Sequence, residues 1–261
     1  MARPAFVSSV GALLALAGNV MGATAPPSRP SRAPFDLSGV WMNDNTLDER
    51  MKREGRRRQT AEELRAAPAT PEAPPLTPRY LEIHRRMQAE AQKLAEGAAG
   101  CEWPGMPTIM TYPYPFEVLS TPGRITFLFE AESQVRRISL NRTQHLDPED
   151  LDPSYNGDSI GRWEGRTLVI DTIGFNTRKP VRGLPHSEQM RIVERITPVD
   201  ATTIRNEMTI TDPEAFTKPV VITVQYSRRP GWRIREYSCA ENNRDAPDAS
   251  GQRSGSVVPA P

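Results

Sequence analysis

The sequence predicts a mainly β protein: an antiparallel closed barrel with an N-terminal helical segment packed on it, with a β-sandwich as the alternative. Three observations predict it. Nine or ten short runs alternate apolar and polar residues, and hairpin-length turns join most of them. The densest stretch, residues 155–176, reads as a hairpin: one run ends at Trp163, Glu164-Gly165 supplies the turn, and the β-branched run Thr167 to Ile173 follows. Helical patterning is confined to the part of the chain before residue 100, which leaves no crossover helices for a βαβ sheet.

In order along the chain, Met1-Ala2-Arg3 gives a basic start, Ala5 to Met21 an apolar run, and Gly22-Ala23-Thr24-Ala25 a small-residue segment. This pattern predicts a signal peptide over residues 1–25, with a membrane anchor as the alternative; no other segment is apolar enough to span a bilayer. Residues 26–34 form a Pro/Ser/Arg-rich extended leader. One barrel domain is expected over 35–243, opening with a short strand at Phe35 to Trp41, and a disordered Pro/Ser/Gly tail over 244–261. A helical insertion occupies about 60–98. Its clearest helix has Thr77 as N-cap and Pro78 at the first helical position, with Tyr80, Ile83, Met87, Ala91 and Leu94 on one face and Gly97 at its end.

Strands follow at Glu117 to Ser120, Arg124 to Ala131 and Ser133 or Gln134 to Leu140. The acidic loop 141–156 carries His145, expected to be exposed. After the hairpin and a second long loop, four more strands are read at Met190 to Thr197, Thr203 to Thr211, Val220 to Arg228 and Arg233 to Cys239.

With 33 Lys and Arg against 32 Asp and Glu, and Arg3 inside the expected signal, the mature chain is close to neutral. Nothing in the overall charge recruits nucleic acid or anionic lipid. An even cysteine count in an exported chain points to a disulfide between Cys101 and Cys239, with two buried thiols as the alternative. Closing so long a loop stabilises by about 4–5 kcal/mol in the chain-entropy treatment.

Period-two reading supplies the candidate chemistry. Glu194 shares a face with Met190, Ile192 and Ile196; Asn206 shares one with Ile204, Met208 and Ile210; Asp171 alternates with Val169 and Ile173. A carboxylate among apolar neighbours must be paired, protonated or used, so these three are expected to face a wet cavity or a buried network. His186, beside Ser187 and Glu188 at the entrance to the Glu194 strand, suits general acid/base work or, equally, a structural role. Tyr112 and Tyr114 either offer phenols to a cavity or wedge under a barrel end. Cys101 and Cys239 are too far apart for a recognisable zinc spacing, and no nucleotide-binding or zinc-protease motif is present, so neither metal nor organic cofactor is expected.

As a set, Asp36-Leu-Ser-Gly-Val-Trp41, Gly105-Met-Pro107, Pro113-Tyr-Pro-Phe116, Gly157 to Gly165, Thr167 to Thr172, Pro185-His-Ser-Glu188 and Glu236 to Asn243 resemble a large group of exported bacterial lipocalin-like barrel proteins. The resemblance covers most of the mature chain and implies a periplasmic or secreted calycin-type barrel, with Asp158, Asp171, His186, Glu188 and Glu194 at its recurring polar positions. Barrels of this general kind include passive carriers and cofactor-free hydratases, cyclases and isomerases, so fold alone leaves function open.

The expectation is therefore a barrel that binds a small, partly apolar organic molecule and performs cofactor-independent proton transfer of lyase, isomerase or hydratase type. His186 would move the proton, Asp158 or Glu188 would orient it, and Glu194 would act as second acid/base. Tyr112 or Tyr114 would meet a developing oxyanion, with Asp171 and Asn206 lining the pocket. A non-catalytic carrier or envelope interaction module is the alternative, in which the same groups form a static network.

Overall fold

Alternating apolar and polar residues give a strand one face that avoids water, and a sheet patterned this way buries that face by curling around it. The computed structural model describes residues 34–44, 74–94 and 103–239. Among these, nine strands close into one barrel in chain order: β1 (Gly39–Asn43), β2 (Phe116–Thr121), β3 (Arg124–Phe129), β4 (Val135–Ser139), β5 (Asp158–Glu164), β6 (Thr167–Ile173), β7 (Arg191–Pro198), β8 (Thr203–Thr211) and β9 (Val220–Arg228). The ring closes at Trp41, which lies opposite Phe116 on β2 and opposite Arg228 on β9. The expected signal over 1–25, the leader through residue 33, Cys101 and the tail over 244–261 lie outside the described residues.

Two features depart from the sequence reading. The barrel is mixed: β4 and β5 run parallel and pair only through Ile138 with Ser159 and Ser139 with Ile160. A parallel pair needs a crossover longer than a hairpin, and the loop 140–157 supplies it. Gly161 lets the two strands pack closely, since a Cβ there would stand 2.8 Å from Ile138 Cγ2. The second departure is the segment Arg233 to Cys239, which is not a strand and makes only an isolated bridge from Tyr237 to Ala131. Because β9 already pairs with β1, the barrel has no free edge for a further strand. Cys239 is not a free thiol, and its expected partner lies outside the described residues.

The inward faces fill the lumen. Phe116 meets the Phe127 and Phe129 rings at 5.5 and 5.6 Å and the Tyr226 ring edge-on at 5.0 Å. Each such buried side chain contributes roughly 1.5–3 kcal/mol. Met106, Ile109 and Met110 are buried in the same core, tied to it where the Tyr226 hydroxyl donates to the Met110 carbonyl at 2.7 Å and the Asn43 amide to the Thr111 carbonyl at 2.8 Å. The Asp36 to Trp41 motif has a structural explanation. The Arg228 guanidinium lies 4.4 Å from the Trp41 ring centroid and donates to the Ser38 and Asp36 carbonyls, while Gly39 leaves room for it.

Helix α1 (Pro78–Leu94) begins beside the segment that links β8 to β9. The Thr77 N–H donates to the Ala215 carbonyl at 2.8 Å, and Tyr80 is buried with its hydroxyl donating to Glu214 at 3.3 Å. Ile83 packs on the core from the same face.

Candidate functional site

Inside the barrel, five strands contribute to one polar chain. Arg136 on β4 reaches across the inner faces of β5 and β6, donating to Ser159 Oγ at 3.3 Å and to Thr172 Oγ1 at 3.0 Å, and ends in an ion pair with Glu194 on β7. Asn206 on β8 donates to the other Glu194 oxygen at 2.9 Å. The Arg136 and Glu194 side chains are 1% and 0% exposed, so this is a paired charge within the core. Glu194 and Asn206 thus face inward as their periodicity predicts, but Glu194 is committed to a guanidinium instead of opening onto a ligand. Arg136 Nη1 has no hydrogen-bond partner.

Asp171 does not face inward. Its flanking positions Leu168, Ile170 and Thr172 form the buried face of β6, and the Asp171 carboxylate points outward to Arg191, whose Nε donates at 2.8 Å. The alternation with Val169 and Ile173 was real, but those two residues lie on the outer wall under covering loops. One such loop brings His145, which is not exposed as expected: its side chain is 15% exposed, with Nδ1 2.9 Å from Asp158 and Nε2 3.7 Å from Asp171. Arg142 Nη2 donates to Asp158 at 2.5 Å, and the Leu146 N–H donates to the same carboxylate. Burial raises the Asp158 carboxyl, but hydrogen bonds from Arg142, His145 and Leu146 outweigh it and hold it below the usual carboxylate range. Asp171 is held low in the same way, burial being offset chiefly by Arg191 and then by His145.

His186 is buried and fully occupied. Its Nδ1 faces the Ser187 carbonyl at 2.9 Å and its Nε2 the Lys179 carbonyl at 2.9 Å, so neither ring nitrogen is left for a substrate proton. Ser187 binds Asp212 through its N–H at 2.6 Å and its hydroxyl at 2.8 Å, and Asp212 also accepts the Ala215 N–H at 3.0 Å. The Pro185 to Glu188 motif is therefore a tie between two loops, and Glu188 points into solvent. No hydrogen bond joins His186, Glu188, Glu194 and Asp158 to one another. Tyr112 and Tyr114 pack half-buried against the core; Tyr114 stacks on Tyr237 with ring centroids 4.9 Å apart. Hydrogen bonding to Tyr237, with burial, pushes the Tyr114 phenol up to about 12.

A cleft of about 850 Å³ lies along β4 and β5, the two strands joined by only two paired positions. Its lining runs from exposed Arg124, Arg137 and Arg178 down to buried Arg136 and Ser159. Among the described residues Asp158 is its one carboxylate, and that group is already engaged by Arg142. Trp103 and Tyr155 form an aromatic wall, rings 6.0 Å apart and tilted by 48°. Gly157 shapes the floor: its φ is +64°, and a Cβ would stand 2.5 Å from the Ile173 carbonyl oxygen. Of the residues singled out from the sequence, only Asp158 lines this cleft.

The arginines were missed because near-neutral composition conceals a local surplus. One signal was available: Gln134, Arg136 and Ile138 alternate on one face of β4, the same argument that marks Glu194, and it identifies the buried countercharge. Among the described residues, no group of three or more His, Cys, Asp or Glu is arranged to hold a metal ion, and no helix is long and apolar enough to cross a membrane. No protein-family model matches the chain, and no curated protein is significantly similar to it.

Proposed function

We propose that this is an exported barrel that binds a small organic molecule in the cleft beside β4 and β5, the lumen serving as structural core. The observation that carries this reading is the cleft itself. Its volume of about 850 Å³ falls within the roughly 300–1,000 Å³ of small-molecule sites, and both exposed and buried polar residues line it. The polar groups of the lumen, by contrast, are bonded to one another. Export is supported by the basic start, apolar run and small residues at the N-terminus, and a Cys239 that is not a free thiol fits an oxidising compartment.

The test is a thermal-shift screen of small organic compounds against wild type and Ser139→Phe, which places a ring in the cleft from the outer face of β4. A ligand at 100 times its Kd adds about 2.7 kcal/mol to stability. Compounds that raise the Tm of wild type are expected to leave folded Ser139→Phe unmoved. Equal stabilisation of both proteins would place binding elsewhere.

One observation favours proton-transfer chemistry of lyase, isomerase or hydratase type at the cleft rim. Asp158 lines the cleft and is held by His145 Nδ1, whose Nε2 faces Asp171 at 3.7 Å, so Asp158 is the member of this cluster that a cleft ligand meets. On this second reading, turnover of a bound compound is lost in His145→Ala and kept in His186→Ala.

A further inference from the structure

The charge of the cleft narrows what it binds. Resting on the cleft-binding reading, we infer that the ligand is a ring-bearing small anion, a carboxylate or phosphate monoester, whose oxyanion is received by Arg137 and Arg178 and whose ring lies along Trp103 and Tyr155.

Five arginines among the described residues line the cleft against the single carboxylate of Asp158. Among the described residues, Arg124, Arg137 and Arg178 have no carboxylate within ion-pair distance, so their charge is not spent inside the protein. Arg142 gives Nη2 to Asp158 and keeps Nη1 unpartnered. Arg136 forms part of the lining although its side chain is 1% exposed and its guanidinium turns to the lumen, so it adds a fixed positive charge behind the cleft wall.

Geometry strengthens the point. Glu194, Thr172 and Ser159 fix the guanidinium, so this charge is held in place before a ligand arrives. A fixed positive charge beside the exposed guanidinium groups of Arg137 and Arg178 favours a carboxylate or phosphate over a neutral acceptor. Glu194 and Asn206 are then positioning residues, acting on the ligand only through Arg136. Trp103, half exposed beside these cations, gives a ring a surface to cover.

The test is calorimetric titration of the purified protein with benzoate, phenyl phosphate, benzyl alcohol and inorganic phosphate. Benzoate or phenyl phosphate is expected to bind at least about tenfold tighter than benzyl alcohol, and to weaken as salt rises from low to physiological strength. The stronger of the two anions identifies the headgroup. The exposed double variant Arg137→Gln/Arg178→Gln, which does not disturb the core, is expected to weaken that anion by about tenfold while leaving benzyl alcohol unchanged. Benzyl alcohol binding as tightly as the anions, without salt dependence, overturns the anionic assignment and leaves the cleft reading intact. Inorganic phosphate matching phenyl phosphate overturns the role of the aromatic wall. Failure of all four probes, with no compound in the thermal-shift screen distinguishing wild type from Ser139→Phe, overturns both readings.

Discussion

Arg136 and Glu194 pair across the inside of the barrel although β4 and β7 are not neighbours in the sheet, with two other strands between them. The connection runs over Ser159 and Thr172, which also bond each other at 3.0 Å, so one guanidinium links four consecutive strands around the short parallel seam. Each charge is tolerable only because the other is present. Glu194→Ala is expected to destabilise by about 3–5 kcal/mol, since it strands a buried guanidinium, and Arg136→Met by a similar amount. The double variant Arg136→Met/Glu194→Leu is expected to cost well under the sum of the singles. Urea denaturation of the four proteins completes the double-mutant cycle, and additive losses would mean that the two charges do not support each other.

The outer-face cluster sets the acid limit. Asp158 and Asp171 both titrate below the ordinary carboxylate value in the folded chain. A depressed carboxyl stabilises the fold above its unfolded pKa, near 3.9, and that stability is lost as pH falls through the folded value. Tm is therefore expected to hold from about pH 7 to 5 and to fall below about pH 4. The double variant Asp158→Asn/Asp171→Asn should start lower at pH 7 and fall less steeply in acid. Parallel Tm curves for variant and wild type would assign the acid loss to other groups.

Asp212 and His186 are predicted to matter for stability and not for ligand binding. Asp212→Ala leaves the buried Ser187 hydroxyl and three backbone N–H groups without their acceptor, a loss of about 2–4 kcal/mol. His186→Ala removes contacts with two backbone carbonyls and is expected to cost about 1–3 kcal/mol. Both variants, measured below their own Tm, are expected to bind the preferred anion within about twofold of wild type. A tenfold loss in His186→Ala would return this histidine to the binding site.

Gly157→Ala tests the cleft floor. The positive φ and the 2.5 Å approach to the Ile173 carbonyl mean that a methyl group forces the chain between 154 and 158 to shift. We expect a loss of about 1–3 kcal/mol in stability, with weaker ligand binding as Asp158 and Asn156 move. Gly165→Ala, whose Cβ would meet nothing within 4 Å, is the control: it shares a positive φ but should leave binding unchanged.

Much of the barrel can be read from local pattern. The Thr203 to Thr211 and Val220 to Arg228 runs match β8 and β9 at both ends, because uninterrupted alternation with turn residues on either side leaves few other registers for a strand. The same periodicity places Glu194 and Asn206 inside. It fails at Asp171, where a covering loop makes the outer face of β6 half-buried and erases the contrast that alternation depends on.

By itself the sequence determined where most of the strands lie, that they curl around an apolar face, and that Glu194 must answer for a buried charge, though not that Arg233 to Cys239 stays outside the sheet. These are properties of neighbours along the chain, and their physical cause is the transfer of side chains out of water at a fixed period. Only the tertiary structure decided that β5 returns parallel to β4, that His145 sits between two aspartates, and that Arg124, Arg136, Arg137, Arg142 and Arg178 converge on one cleft. Those residues are brought together by ring closure and by the path of the 140–157 crossover, and electrostatic fields add over distance in space, whatever the separation in sequence.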